Sequence, residues 1–333
     1  MSFGRHRAAA ALLLGALFAL SACTAIDGGD SSNAPDATAG GGGGGQLVIA
    51  TGGTGGVYYP LGGGLANVIG DNVEGTTATI SETNASVDNM LLIQDGGADI
   101  AFVLGDTASD AVAGAGADFD GNPVDACALG ALYNNFTQLV ASADAGVASV
   151  NDLAGKRVSL GSPGSGTEVI GLRILEAAGI DPDADIERAQ LGVAETVEAL
   201  RDGTIDAGFW SGGLPTGALV DYASTGNMVL VPTGEYASAM ADAYGEYYLE
   251  DAIPTDTYEG MDGDVSTVVV PNVLVVNTSM DEQLQRDITA VLFEQKDALV
   301  DVHPAANAFD PAVAQDVTFI DLCPGAQAYY DEG

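Results

Sequence analysis

Positive charge is what this 333-residue sequence has least of. Nine Lys and Arg face 47 Asp and Glu, a formal net charge of −38 at pH 7. Nucleic acid is bound through basic surfaces, so it is excluded as a partner, and the same charge opposes docking onto anionic lipid. Histidine is nearly missing: His6 and His303 alone leave multi-histidine metal sites and triad chemistry short of ligands and bases. Gly-x-Ser-x-Gly and Gly-x-x-x-x-Gly-Lys-Ser/Thr do not occur, and Gly-x-Gly-x-x-Gly falls only inside polyglycine. Hydrolase and nucleotide motifs therefore fail. We expect no enzyme activity, no cofactor and no metal. Beyond the N-terminus no apolar run approaches the roughly 18 residues that a bilayer span needs.

What is present is a folded, exported chain. A hydrophobic share of 47% and mean hydropathy of +0.21 oppose disorder, and the length suggests two domains. Arg5, His6 and Arg7 precede an apolar run from Ala8 to Leu20, then Leu20-Ser21-Ala22-Cys23. This is a signal peptide over 1–22, too short in its apolar part to span a membrane. Its end resembles a bacterial lipobox, which makes Cys23 the lipidated mature N-terminus, although ordinary cleavage beside a coincidental cysteine gives the same letters. Residues 23–45, with six consecutive glycines at Gly40 to Gly45, read as a flexible tether. Loss of 1–22 removes Arg5 and Arg7 but no acid, so seven cations face 47 acids, formally −40. Cys127 and Cys323 remain, an even pair in an oxidising compartment, open to a disulfide or to two buried thiols.

From Gln46 strands alternate with helices. Leu47–Ala50, Thr77–Ser81, Asp99–Leu104 and Arg157–Leu160 read as strands; Tyr59–Ile69, Val87–Gln94 and Thr167–Ala178 read as helices, the last with Gly179 at its C-terminal end. The alternation predicts a parallel or mixed α/β sheet. It also repeats. Val87–Val103 has a counterpart 107 positions later, where Asp95-Gly96, Asp99 and Phe102 match Asp202-Gly203, Asp206 and Phe209. Each copy follows a Gly-rich turn, residues 51–56 and 161–166, so two similar lobes are expected, with a single larger domain as the alternative. Further on, Gly226–Pro232 predicts a strand and Glu235–Tyr244 a helix. Val265–Asn277, with Pro271 inside, predicts a bent or edge strand that returns the chain to the first lobe. Glu282–Val300 predicts one amphipathic helix.

Helix N-termini expose unpaired N–H groups, glycine lets backbone approach a ligand, and hydroxyls add donors. Two such turns facing each other would hold a small anion with few fixed cations. Other candidates read more simply as structure: His303 before Pro304 as a helix start, and Asp181, Asp183 and Asp185 as an acidic turn, because Ile186 and Gly192 break the calcium-loop pattern. Arg173 is either a ligand cation or a partner of Glu176 or of the neighbouring lobe. Trp210 closes a strand, where cleft and core roles compete. Of Tyr58 and Tyr59, one should face the cleft and one the core.

These residues resemble the TAXI solute receptors, binding proteins of tripartite ATP-independent periplasmic (TRAP) transporters. The resemblance is carried by Thr51-Gly52-Gly53-Thr54-Gly55-Gly56-Val57-Tyr58-Tyr59-Pro60-Leu61-Gly62, Thr83–Asn89, Leu153–Val158, Gly161–Glu168 and Cys323-Pro324-Gly325-Ala326-Gln327-Ala328-Tyr329-Tyr330. It implies a type II periplasmic-binding-protein fold, α/β, with two Rossmann-like lobes (46–138 with 267–333, and 139–266) and a ligand cleft between them. It also implies a small organic anion as ligand, a glutamate- or glutamine-like amino acid or a C4–C5 dicarboxylate, delivered to TRAP-type permease subunits by a lipid-anchored monomer outside the cytoplasmic membrane. An ABC-importer binding protein and a sensor subunit are the alternatives. Cys323 stands where the family has histidine, which favours pairing with Cys127. Leu104-Gly105-Asp106 stands where Gln-Ser-Asp is usual, which puts a polar group there in doubt. The expected ligand-binding residues are Thr54, Gly55, Tyr58, Ser86, Asn89, Ser162, Ser165, Gly166, Thr167 and Trp210.

A −40 surface repels itself, and salt screens that repulsion. Unfolding midpoints should therefore rise from low to molar salt; midpoints that stay constant would contradict an acidic surface suited to high salt.

Overall fold

A computed structural model describes residues 45–332; the expected signal peptide, Cys23 and nearly all of the expected tether lie outside the described residues. Ten strands follow in chain order: β1 Gln46–Ala50, β2 Thr77–Ser81, β3 Ile100–Leu104, β4 Ala126–Ser142, β5 Arg157–Ser159, β6 Glu187–Ala189, β7 Ala207–Gly212, β8 Met228–Val231, β9 Leu249–Ile253 and β10 Val265–Asn277. They form one sheet in the order β2-β1-β3-β10-β4-β7-β5-β6, with β8 added to β4 and β9 to β10. β1 is parallel to β2 and β3, and β5 is parallel to β6 and β7. Between these trios β10 and β4 run antiparallel to each other, to β3 and to β7.

The repeat in the sequence is the repeat in the fold. Each trio is built as strand, glycine turn, helix, strand, helix, strand, with helices Tyr58–Asn72 and Ser86–Asp95 in one, and Gly166–Ala177 and Val193–Arg201 in the other. Matching aspartates do matching work. Asp99 exchanges bonds with Val48 on β1: its backbone N–H donates to the Val48 carbonyl (2.9 Å), and its carboxylate accepts the Val48 N–H (2.8 Å). Asp206 does the same with Arg157 on β5, at 2.8 and 2.9 Å. Gly96 and Gly203 both take positive φ, 71° and 65°, to end the preceding helix.

β4 and β10 serve both halves. They are 17 and 13 residues long, and β10 is rich in the β-branched residues that suit a buried sheet. Leu274 and Val276 pack with Ile49, Phe102 and Leu129 in the first half, while Val268 and Val270, on the same strand, pack with Leu139, Val158 and Phe209 in the second. Three expectations need correcting. Of the two alternatives for β10 the edge position fails, since the strand lies in the middle of the sheet; the local distortion stands, because Pro271, which lacks a ladder N–H, is taken up by a register break against β4 between Pro271 and Val273. The stretch 282–300 is two helices, Glu282–Glu294 and Lys296–Val302, broken where Gln295 takes φ −105° and ψ 21°. The segment 235–244 opens with a 3₁₀ turn, Gly234–Tyr236, before the helix Ala237–Tyr244.

Cys127 and Cys323 form a disulfide spanning 196 positions. It fixes the C-terminal segment to β4 beside a bond from the Cys323 N–H to the Ala128 carbonyl (2.9 Å). His303 caps the turn Pro304–Ala308, Nδ1 accepting from the Ala305 N–H. Asp181 and Asp185 accept backbone N–H groups of their own turn.

Arg173 joins the two halves rather than meeting Glu176. From the helix Gly166–Ala177 it reaches the helix Gly105–Ala113, pairing with Asp110 at 2.5 Å and Asp106 at 3.6 Å. It donates to the Tyr248 hydroxyl at 2.8 Å and lies 4.2 Å from the Tyr244 ring centre. Tyr248 in turn donates to Asp106 (2.6 Å). Burial works against the guanidinium, but Tyr248, Asp106 and Asp110 outweigh it and hold its pKa raised. Burial likewise pushes the Asp106 carboxyl up, opposed by Arg173, Tyr248 and the Thr107 N–H. Removing one partner of such a buried pair strands the other charge, at a cost of about 3–5 kcal/mol. Urea unfolding of Arg173→Met should show a loss of that size, whereas a loss below about 1 kcal/mol would place the pair among surface ion pairs.

Candidate functional site

A cavity of about 420 Å³ lies between the two glycine turns. Four helices begin at it: their N-cap residues Val57, Ala85, Ser165 and Gly192 all line its wall. Three of the four caps carry no side-chain bond, so the partial positive charge of those helix ends faces the cavity. Ala85 holds φ 78° and ψ −140°, a conformation costly for a residue with a Cβ, of the kind that concentrates at binding sites.

The hydroxyls there are oriented by the backbone. Ser165 Oγ accepts the Glu168 N–H (3.1 Å), Thr167 Oγ1 accepts the Ser211 N–H (3.1 Å), and Ser86 Oγ accepts the Leu104 N–H (3.1 Å). Each bond occupies a lone pair and leaves the hydroxyl proton to be donated. The second turn is braced from behind by Glu168, whose carboxylate accepts from Gly164 N–H (2.9 Å) and from the side chains of Arg188 and Gln190.

The two halves meet closely across the cavity. A Cβ on Gly56 would stand 2.8 Å from Trp210, one on Gly55 3.1 Å from Val193, and one on Gly166 2.5 Å from Leu104. The Asp88 N–H donates to the Gly164 carbonyl at 3.2 Å, joining the loops directly. Glycine suits these positions because a larger residue would displace the facing side chain or hold the turns apart.

Nine of the ten residues expected from the sequence line this one cavity: Thr54, Gly55, Tyr58, Ser86, Ser162, Ser165, Gly166, Thr167 and Trp210. Asn89 does not. It is fully buried, donates to the Thr51 and Phe102 carbonyls (2.8 Å each) and accepts from the Thr83 hydroxyl (2.6 Å), tying the second helix to β1 and β3. Trp210 is half-buried, its Nε1 donating to Thr216 Oγ1 at 2.9 Å. Tyr58 faces the cavity, stacks on Phe102 and accepts from the Asn272 side chain, and burial raises its hydroxyl pKa. Tyr59 does not line the cavity. Leu104 gives the wall an apolar side chain, and Asp106 turns instead toward Arg173.

Glu82, Glu195 and Ser211 also line the wall and were not foreseen. The repeat carried the signal for Glu195, because the offset of 107 superposes the Gly192-Val193 helix start on Ala85-Ser86. Among the lining residues there is no Lys, Arg or His; Glu82 and Glu195 are its charged members. Among the described residues no group of His, Cys, Asp and Glu is placed to hold a metal ion, and no helix is long and apolar enough to cross a membrane.

Two α/β halves joined through crossing central strands, with a cleft between their helix starts, make the type II periplasmic-binding-protein fold. Solved structures share it. A Xanthomonas citri protein, XAC2383, determined bound to ATP, is similar with a TM-score of 0.51 at 13% identity, over 86% of this chain and 94% of its own. The binding protein component of an ABC phosphonate transporter from Pseudomonas aeruginosa is similar with a TM-score of 0.50 at 10% identity, over 79% of each chain. The profile of the NMT1-like family matches residues 49–333, and the chain belongs to that family.

Trp210 is the single tryptophan, so its emission reads the contact with Gly56. Gly56→Ala should shift that emission to longer wavelength while far-UV circular dichroism stays unchanged. Unshifted emission would mean that the first turn does not press on Trp210 in solution.

Proposed function

We propose that the chain is an exported, non-catalytic solute-binding protein that captures a small carboxylate-bearing solute in this cavity and hands it to a membrane importer. The observation that carries the reading is the convergence of four helix starts and three donor-oriented hydroxyls on a wall without Lys, Arg or His. Such a wall favours an anion through backbone N–H groups and hydroxyl protons. Glu82 and Glu195 would repel the second charge of a dicarboxylate and attract an ammonium, so within the expected ligands a zwitterionic amino acid fits better. Capture is a closure of the lobes, 46–138 with 267–333 against 139–266, about β4 and β10. Lipidation at Cys23 would tether the protein, as a monomer, outside the cytoplasmic membrane.

For the importer, an ABC system is our first reading, supported by the likeness to the phosphonate transporter's binding component. A TRAP-type permease is the second, supported by the TAXI-like motif Thr51–Gly62. Uptake by proteoliposomes holding the cognate permease decides between them: dependence on ATP supports the first, and dependence on an ion gradient supports the second.

Calorimetric titration with amino acids and C4–C5 dicarboxylates should show binding, and Ser165→Ala should weaken it roughly 10- to 100-fold, the value of a hydrogen bond to a charged group. Binding confined to solutes without a carboxylate would overturn the proposal.

A further inference from the structure

Below the helix starts, the crossing of β4 and β10 is polar where a sheet centre is ordinarily apolar. Asn135 on β4 and Asn272 on β10 are fully buried, and Tyr133 and Ser211 nearly so. Of the four, Ser211 lines the cavity; the others lie behind its wall, Asn272 pairing in register with the lining residue Leu104 and donating to the lining Tyr58, Asn135 standing beside that same hydroxyl, and Tyr133 packed under Gly213, next to the lining Gly212. Among the described residues most of their side-chain polar atoms lack partners. Both polar atoms of the Asn135 side chain, Asn272 Oδ1, Tyr133 Oη and Ser211 Oγ make no hydrogen bond within the protein. Buried polar atoms are almost always paired, and exceptions gathered in one place call for a role outside the fold.

We propose that Asn135, Asn272, Tyr133 and Ser211, beneath Tyr58, form an uncharged floor that receives a neutral, hydrogen-bonding end of the solute, a carboxamide or a hydroxyl, while its ionic end stays among the helix starts. The inference rests on the function proposed above and deepens it by naming what the far end of the solute must be. The floor offers donors and acceptors together: the Asn135 amide supplies both, Asn272 Oδ1 accepts, and three hydroxyls do either. None of these groups carries a charge, and burial pushes the Tyr58 and Tyr133 hydroxyls up, which keeps them protonated. A carboxylate or ammonium placed there would be buried without a counter-ion, the costliest arrangement for a charge. A group that both donates and accepts satisfies the floor, and a site built to bond such a group rejects an analogue that cannot match it.

The test compares matched pairs, L-glutamine with L-glutamate and succinamate with succinate, by calorimetry on the wild type, Asn135→Leu and Ser211→Ala. The amide of each pair should bind at least tenfold more tightly than its acid. Asn135→Leu should abolish that preference while the ligand-free melting temperature holds or rises, because removing an unpartnered buried amide relieves the fold; Ser211→Ala, the smaller change, should reduce the preference severalfold. An acid that binds as tightly as its amide, or a preference that survives both substitutions, overturns the floor and leaves the proposed function standing. A melting temperature that falls markedly in Asn135→Leu makes Asn135 structural and also overturns it. No binding by either pair overturns the carboxylate-solute reading, and the floor with it.

Discussion

The antiparallel pairing of β4 with β10 is the contact on which the rest depends. The register runs from Val269 opposite Phe136 to Asn277 opposite Ala126, and each strand contributes buried residues to the cores of both halves. A parallel trio has a free inner edge, β3 on one side and β7 on the other, whose unpaired N–H and C=O groups must be satisfied. β10 covers the first edge and β4 the second. Neither half completes its sheet without a strand that the other half also uses. The halves are thus one folding unit with buried apolar clusters in each, and any relative motion between them has to be absorbed in these two strands.

This arrangement explains why the cavity stands where it does. In each trio the turn after the first strand and the start of the second helix lie at the carboxyl ends of parallel strands, where helix N-termini gather. Duplicating the trio and facing the copies across β4 and β10 brings four such ends together. Close approach then depends on residues without side chains: Gly55, Gly56 and Gly166 each bring backbone against the opposing half. Arg173, Asp106 and Asp110 hold the same two halves together through a buried ionic contact outside the cavity. Glycines thus determine how near the halves come, and the ion pair fixes which surfaces meet.

Much of this was legible in the sequence, for reasons that particular residues show. The first trio reads cleanly because β1 and β3 are short apolar runs bounded by turn residues, and the repeat reads because Asp99 and Asp206 hold equivalent bonds to β1 and β5. The glycine turns pointed to the cavity because a cluster of Gly, Ser and Thr before a helix has a backbone meaning independent of the rest of the fold. What escaped was β4. Asn134, Asn135, Thr137 and Gln138 interrupt its apolar pattern, so the longest strand of the sheet does not resemble one. Pro271 left the strand's place open between a bend and an edge, since a register break that admits proline at a sheet centre is decided by the partner strand and not by the residue's neighbours. Glu82 was missed because an exposed glutamate in an acidic chain carries no local signal until the fold brings it to a cavity wall, and Glu195 because only the repeat, and not its own neighbours, marked its helix start.

The two features hardest to read locally have one cause. A sheet centre composed only of Val, Ile and Leu would have been easier to recognise and more stable, since buried polar groups without partners weaken a fold. At the crossing of β4 and β10 the sequence instead keeps Asn135 and Asn272, and holds them within a stable frame: the disulfide at the far end of β4, the large apolar clusters on either side, and the Arg173 pair. The overall acidity is compatible with the proposed anion site because it acts at the surface. Charges beyond about 10 Å are screened at ordinary ionic strength, whereas helix ends and oriented hydroxyl protons act at contact distance inside a cavity where the surrounding dielectric is low. The chain can therefore be strongly negative as a whole and still gather helix-end N–H groups and hydroxyl protons on one cavity wall, beside Glu82 and Glu195 as its charged members.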